Sequence, residues 1–220
     1  MDTRRTRQKG FSLLELLICL VVMMVVTVAA FPTINKTLQI FKLQSSAQDV
    51  ATLLQRARIL AVRNNTTYSI LFTAPVNGFQ EACIDTNWNG VCDPTEPNVA
   101  LARNVSLVTD GSGVSPAQIT CGALTTNCPA GFTGLNYQQQ GANVPASYND
   151  RGLPCIGTPA NAEPLPNNTA CKELVNNTPT GFLYKFQYQG ANGTTYAAVT
   201  VTPSALVGVW LYSGTAWGQQ

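Results

Sequence analysis

The feature that most constrains this chain is an apolar run of about 21 residues, from Phe11 to Phe31, that follows directly after Gly10. A run of that length is sufficient to cross a bilayer as a helix, because about 20 residues at 1.5 Å each span the hydrocarbon core. One acidic residue, Glu15, lies near its start. A charge within such a run is costly and therefore indicates a functional site.

The residues before this run form a short basic leader, with four basic side chains and one acidic one in residues 1–10. A basic flank keeps its own end of a membrane segment in the cytoplasm. An ordinary secretory signal has a shorter apolar core and a small-residue cut site after it. Because the end of this run offers only Val28-Ala29-Ala30, we expect cleavage before the run, after Gly10.

The stretch Lys9-Gly10-Phe11-Ser12-Leu13-Leu14-Glu15 resembles the class III signal of type IV prepilins and pseudopilins. The resemblance implies that a membrane prepilin peptidase cuts between Gly10 and Phe11 and methylates the new N-terminus at Phe11. It also implies that Glu15 faces the positive N-terminus of a neighbouring subunit during filament growth, which offsets the cost of both charges in hydrocarbon. The alternative is a plain membrane anchor with a stray Glu.

Composition favours one globular domain joined to an anchor helix, given 220 residues and 45% apolar content. Removal of the leader leaves nine basic and ten acidic residues, so nucleic-acid binding is not expected. An enzyme is not expected either, because the chain contains no His and shows neither a phosphate-binding glycine motif nor a nucleophile constellation.

The cysteines predict an exported, disulfide-bonded domain. Of the seven cysteines, Cys19 lies in the apolar run and is expected to behave as a small apolar residue. The other six allow 15 pairings. We favour the sequential pairing because each bond closes a short loop; a zinc site is the alternative, which the lack of His and the long spacings disfavour. The predicted bonds are Cys83–Cys92, Cys121–Cys128 and Cys155–Cys171.

Helical patterning continues beyond the apolar run, past Pro32, where we expect a kink. Apolar residues then recur at steps of three and four, which marks one buried face of a helix from about residue 12 to 63. The residues of this face are Leu43, Ala47, Val50, Leu54, Ala57 and Ala61.

Strand-like segments separated by Gly, Pro and Asn follow the helix, which together predict an α+β fold, a long helix packed on an antiparallel sheet. The segments 109–130 and 155–180 are predicted to be disulfide-pinned loops. The predicted strands are 68–72, a stretch around 79–84, 99–108, 132–137, 182–188, 196–202 and 207–212.

Two later segments are similar to the FimT/GspH-type minor pilins and pseudopilins, whose resemblance implies the type IV pilin fold. The first is the strand-turn stretch 148–154, Tyr-Asn-Asp-Arg-Gly-Leu-Pro, and the second is the closing hairpin, residues 199–203 and 208–210. Members of that family implicated in DNA uptake carry arginines around the last hairpin. Residues 207–210 of this chain are Val-Gly-Val-Trp, so a role as a DNA receptor is not favoured.

The segment from Asp85 to Glu96 fits the calcium-loop pattern D-x-[DN]-x-[DN]-G-x5-E. Calcium takes six to eight oxygen ligands, so this loop predicts a structural calcium site. The alternative is a hairpin turn whose Asp, Asn and Gly residues only set turn geometry. The predicted ligands are the side chains of Asp85, Asn87, Asn89, Asp93 and Glu96 and the carbonyl of Val91.

These observations predict four segments: a removed leader over 1–10, a transmembrane and filament-core helix over 11–31, an amphipathic helix over 32–64, and a β-rich head over 65–220. The resemblance implies a single-pass inner-membrane protein with a periplasmic head that assembles with other pilins on an inner-membrane platform. A minor type IV pilin that primes or caps a filament is favoured. The alternatives are a type II secretion pseudopilin and a tip-exposed adhesin or DNA-uptake pilin.

Overall fold

The computed structural model describes residues 12–108, 136–139, 146–156, 171, 174–175, 178–190, 193–212, 214 and 217–220. The chain divides into two compact units, Met1–Leu38 and Gln39–Gln220. One α-helix contributes to both units, and the strands all belong to the second.

Helix α1 runs from Leu13 to Asn64, which confirms the helix predicted over about 12–63. It ends because Asn65 takes a left-handed conformation, with φ of 50°. The amide of Thr66 then donates to the carbonyl of Ala61 at 3.1 Å, and the amide of Asn65 donates to the carbonyl of Val62 at 3.3 Å. These two bonds form a Schellman cap, which satisfies carbonyls that the last turn would leave unpaired. Position 32 lies inside α1, so Pro32 does not end the helix, and the kink stays a prediction.

Twelve strands follow the helix in the described part of the chain. They are β1 Tyr68–Phe72, β2 Glu81–Asp85, β3 Asn98–Ala100, β4 Val105–Leu107, β5 Asn136–Gln139, β6 Ala146–Tyr148, β7 Pro154–Ile156, β8 Leu174–Val175, β9 Thr178–Gly190, β10 Gly193–Val201, β11 Val207–Tyr212 and β12 Trp217–Gln219.

The strands form two sheets. The first has the order β3-β2-β1-β6-β7, with neighbours antiparallel. The second has the order β12-β11-β10-β9-β4, and β5 and β8 also pair with the long strand β9. The β5–β9 pair is parallel, with Asn136 opposite Thr180. The α+β class is therefore confirmed, with the strands distributed over two sheets rather than one.

The sequence patterns located most strands but not all of them. The predictions for β1 and β11 agree with the structure at both ends, whereas the segment predicted as one strand over 99–108 forms two, β3 and β4. That division has a physical cause: Asn104 has φ of 68°, and its amide donates to the carbonyl of Gly78 at 2.7 Å, so the backbone turns there. Strands β6, β7, β8 and β12 were not predicted, and β7 and β8 lie in the segment predicted as a loop. Residues 109–135 lie outside the described residues.

The core of the second unit is the contact between α1 and both sheets. All six residues of the predicted helix face are buried, with at most 1% of each side chain exposed. Three of the six are alanines, and small side chains let a helix approach a sheet closely. From the sheets, Ile70 of β1, Tyr148 of β6, Phe182 of β9 and Val199 of β10 belong to the same cluster.

Two of the three predicted disulfides are confirmed. Cys83 bonds to Cys92 with a Cα–Cα distance of 5.6 Å, and Cys155 bonds to Cys171 with a Cα–Cα distance of 5.1 Å. The predicted Cys121–Cys128 bond lies outside the described residues. Cys19 is a free, exposed cysteine.

The buried tyrosines give a stability prediction. Tyr184 is 1% exposed and its hydroxyl has no hydrogen-bond partner among the described residues, whereas the hydroxyl of Tyr68 accepts from Asn64 Nδ2 at 2.8 Å. An unsatisfied buried polar group costs about 1–3 kcal/mol. We therefore expect Tyr184→Phe to leave unchanged or raise the free energy of unfolding, and Tyr68→Phe to lower it by about 1 kcal/mol.

The measurement is urea unfolding of the full chain in detergent, with near-ultraviolet circular dichroism as the signal that monitors unfolding. The two variants lose the same atom, so each controls for the other. A larger loss of stability in Tyr184→Phe than in Tyr68→Phe would contradict the prediction.

Candidate functional site

The first part of α1 presents an apolar surface on every side. Every described side chain from Leu13 to Val28 is exposed, and the exposed fractions of Leu14, Met24 and Val28 are 68%, 71% and 71%. A contiguous exposed apolar surface of this kind marks a region that lipid or other protein covers. The hydroxyl of Thr27 lies 2.8 Å from the carbonyl oxygen of Met23 and 2.9 Å from that of Met24, so its own helix satisfies it without water.

Glu15 lies in the first turn of α1 and is exposed. A carboxylate there is favoured by the partial positive charge that the unpaired amides give to a helix N-terminus. No other residue from Ser12 to Asn35 carries a charge. Glu15 is therefore an isolated charge on an apolar surface, in a position where a cation from another molecule can reach it. Gly10 and Phe11, the predicted cleavage and methylation positions, lie outside the described residues.

Among the described residues, no helical segment attains the length and apolar character needed to cross a membrane. The predicted span over residues 11–31 stays a prediction.

The acidic loop, Asp85–Glu96, connects β2 to β3, and its sharp turn has a local cause. Trp88 and Gly90 both have a left-handed backbone, with φ of 57° and 74°. The amide of Asn89 donates to Asn87 Oδ1 at 3.1 Å, and the amide of Val91 donates to Asn89 Oδ1 at 2.8 Å. Asn side chains thus take the place of backbone partners through the turn.

Glu96 closes the loop, since its carboxylate accepts bonds from both ends of the turn. Oε1 accepts from the amide of Thr86 at 2.6 Å and from its hydroxyl at 3.1 Å. Oε2 accepts from the amide of Asp93 at 3.1 Å. Glu96 is only 6% exposed, so these donors replace the water that the carboxylate loses.

Asp85 is the second buried acid of the loop, with 4% of the residue exposed. Its Oδ2 accepts from the amide of Gly90 at 2.9 Å, whereas its Oδ1 is buried without a hydrogen-bond partner in the part of the chain that the structure describes. Burial raises the pKa of Asp85, the amide of Gly90 lowers it, and the negative charge of Glu96 raises it again. The net direction of the pKa is upward, because burial, the largest cause, and the charge of Glu96 outweigh the backbone amides that lower it.

The remaining predicted side-chain ligands are less buried than Asp85 and Glu96. Asn87 Nδ2 and Asn89 Nδ2 each donate to Asp93 Oδ2 at 2.7 Å, so these three side chains form one hydrogen-bonded group. Within the described ranges, no three His, Cys, Asp or Glu side chains come together in a way that could hold a metal ion. Two of the predicted metal-ligand atoms, Asn87 Oδ1 and Asn89 Oδ1, are amide oxygens that accept hydrogen bonds here.

Two contacts attach the loop to the rest of the second unit. The Cys83–Cys92 disulfide joins β2 to the middle of the loop. The Trp88 ring stacks on Tyr68, with ring centroids 5.7 Å apart and planes at 9°, and its Nε1 donates to the carbonyl of Thr67 at 2.8 Å. Trp88 therefore links the loop to the segment that follows the C-terminal end of α1.

The two segments that resemble FimT/GspH-type proteins both fold as hairpins. Residues 148–154 form the turn between β6 and β7, where Asn149 Oδ1 accepts from the amides of Arg151 at 3.0 Å and Leu153 at 2.9 Å. Gly152 has φ of 72°, and a Cβ there would approach Val62 Cγ2 to 2.8 Å, so this turn packs against α1 and requires glycine. The closing segment forms the β10–β11 hairpin, and one further strand, β12, follows it.

Sequence reasoning missed an apolar groove between α1 and the β10–β11 turn. It has a volume of about 540 Å³, and its exposed apolar residues Ile59, Val62 and Leu206 stand beside Arg58 and Arg63. The available signal was that Ile59 and Val62 fall off the predicted buried face of the helix. Surface Ile and Val residues on an amphipathic helix leave an apolar area that a partner can cover.

The disulfide of the loop gives a second prediction. Replacing Cys83 and Cys92 together by Ser should lower the free energy of unfolding by about 2.5 kcal/mol, because the bond restricts the unfolded chain. The loop it closes is short, so the effect is smaller than for a longer loop. It should also change the fluorescence of Trp88, which the loop carries. The matched control replaces Cys155 and Cys171 by Ser, which should cost about 3 kcal/mol and leave the Trp88 signal unchanged. Equal fluorescence changes in both variants would contradict this attachment of the loop.

Comparison with known proteins identifies one matching family model, described as the prokaryotic N-terminal methylation motif, at residues 5–31. A search of the curated proteins and one of the solved structures return no match. The matched residues include the predicted cut, Glu15 and the whole apolar run. The more specific likeness to the FimT/GspH type stays a prediction. The motif supports a type IV prepilin-like protein, of the kind that includes pilins and pseudopilins.

Proposed function

We propose that this protein is a minor structural subunit of a type IV pilus that primes or caps the filament. A prepilin peptidase would cut it after Gly10 and methylate Phe11, and its role would be structural rather than catalytic. Until assembly it would be held in the inner membrane by residues 11–31, with the head in the periplasm. The observation that carries the proposal is the single charge, Glu15, on the otherwise apolar helix surface over residues 12–28 of the matched N-terminal motif.

The proposed assembly reaction follows from the cost of isolated charges. In an apolar environment the Glu15 carboxylate and a methylated N-terminal amine are each poorly solvated, and pairing between subunits offsets that cost. A subunit with both groups can offer its carboxylate to one neighbour and its amine to another. Such a head-to-tail contact generates an open helical filament when its rotation does not close into a ring.

The head supports the proposal through its surface. The groove lined by Ile59, Val62 and Leu206 leaves apolar area that neighbouring subunits would bury on assembly. The two disulfides of the described head suit a compartment outside the cytoplasm. The length of the chain and the segments rich in Gly, Pro and Asn at 109–130 and 155–180 of its sequence favour a minor subunit over a major one.

Cleavage gives one prediction. Gly10→Ala should leave the precursor uncut when the gene is expressed with a prepilin peptidase, because a side chain at this position obstructs the cut. Intact-mass measurement of the purified protein detects the retained leader. Gln8→Ala, also in the leader, is the control and should be processed. Normal processing of Gly10→Ala would contradict the proposal that a prepilin peptidase cuts after Gly10.

Assembly gives another prediction. Glu15→Gln keeps the shape of the side chain and removes its charge, so the protein should be processed normally and yet be lost from the filament fraction by at least about tenfold. Immunoblots of sheared and cell-bound fractions measure this. Glu81→Gln, an equivalent change on the exposed edge of β2, is the control and should assemble. Wild-type incorporation of Glu15→Gln would contradict the pairing role.

A further inference from the structure

The loop between β2 and β3 buries two carboxylates, and its hydrogen bonds do not fully compensate their negative charge. Asp85 and Glu96 are 4% and 6% exposed, and the negative charge of Glu96 acts on Asp85. Glu96 is well supplied with donors on both oxygens. Asp85 is less well supplied: the backbone amides of Gly90, Trp88 and Asn89 act on its carboxylate, but among the described residues its buried Oδ1 has no hydrogen-bond partner. A buried acceptor left in this state costs stability, and more so when it is charged.

The orientation of Asp85 shows where a ligand for this oxygen would lie. Its Oδ2 is held by the amide of Gly90, at the centre of the loop, so the carboxylate is directed into the turn. The Oδ1 atom of the same carboxylate is buried where β2 enters this loop. A cation at that point would satisfy Oδ1 and would also reduce the repulsion between Asp85 and Glu96.

We propose that the segment Asp85–Glu96 binds one calcium ion, with Asp85 Oδ1 as its anchoring ligand. The order of oxygen-bearing residues supplies the other ligands at alternate positions of a twelve-residue loop, with the required glycine at position 90. These ligands are the side-chain oxygens of Asn87, Asn89 and Glu96, the carbonyl of Val91, and Asp93 directly or through water.

The hydrogen bonds already present are compatible with these ligands. The carbonyl oxygens of Asn87 and Asn89 each accept one amide bond, at 3.1 Å and 2.8 Å, and a carbonyl oxygen has a second lone pair. The bonds from both Asn side chains occupy Asp93 Oδ2. Contact through water at Asp93 fits that arrangement, and it leaves two acids as direct carboxylate ligands: Asp85, and Glu96 through Oε2, which accepts one amide bond.

The chemistry of the ligands selects calcium among the metals available to an exported protein. Carboxylate, amide and carbonyl oxygens are hard ligands. A zinc site is disfavoured because the chain has no His and because Cys83 and Cys92 are bonded to each other. Magnesium requires a small octahedral site and keeps most of its water, whereas a loop with six oxygen-bearing positions suits the larger ion.

The test uses full-length protein in detergent micelles, first treated with a chelator and then titrated with CaCl2 in a calorimeter. We expect a dissociation constant of about 10⁻⁴ to 10⁻³ M, the range of extracellular calcium modules. At ten times that concentration the melting temperature should rise by about 4 °C. Terbium(III), a luminescent substitute for calcium, should emit on excitation of Trp88, and CaCl2 should displace it.

Two variants locate the ion. Asp85→Asn should weaken calcium binding at least about tenfold, and Asp49→Asn, the same change on α1, should bind as the wild type does. Trp88→Phe should reduce the terbium emission and leave the calorimetric titration in place. If the wild type gives neither heat nor a change in melting temperature at millimolar calcium, the loop is a turn held by its own hydrogen bonds and the proposal is overturned. Equal binding by Asp85→Asn and the wild type overturns the assignment to this loop.

Discussion

The packing of one helix face against two sheets is the interaction on which the described head depends. Residues Leu43, Val50 and Leu54 fill the centre of this contact, and alanines let the helix lie close to the strands. Both sheets need this helix, since each buries apolar side chains in the same cluster. Away from this face, Ile59 and Val62 of α1 are exposed and line the groove beside the β10–β11 turn.

The acidic loop depends on the same contact indirectly, because it is attached to the first sheet. Its tryptophan lies on Tyr68, at the start of β1, and β1 follows directly after the capped end of α1. The disulfide to Cys83 holds the loop to β2, the neighbour of β1. A ligand or a mutation that changes the loop therefore acts on the first sheet near the place where that sheet meets the helix.

Local patterns determined what could be predicted from sequence, and distant pairing determined what could not. The helix face and the strands Tyr68–Phe72 and Val207–Tyr212 have clear periodicity, and the disulfides Cys83–Cys92 and Cys155–Cys171 close short loops. The strand β6 is three residues long, and it exists because Ala146 pairs with Ile70, far earlier in the chain. A three-residue pattern carries no periodic signal, and the parallel β5–β9 pair likewise depends on register between distant segments. At the loop, the sequence predicted the ligand types, but the unpartnered oxygen of Asp85 became visible only with the fold.

The N-terminal claim can be tested on a single peptide. Trypsin cuts after Lys9 and Lys36, so an unprocessed chain yields a peptide that begins at Gly10, whereas peptidase cleavage yields one that begins at Phe11. Mass spectrometry of filaments sheared from intact cells should find the Phe11–Lys36 peptide with an added methyl group at its N-terminus. The same processed peptide confined to the cell envelope would favour a secretion pseudopilus or a base-bound primer. Recovery of the Gly10 peptide alone, from cells with an active prepilin peptidase, would contradict the account.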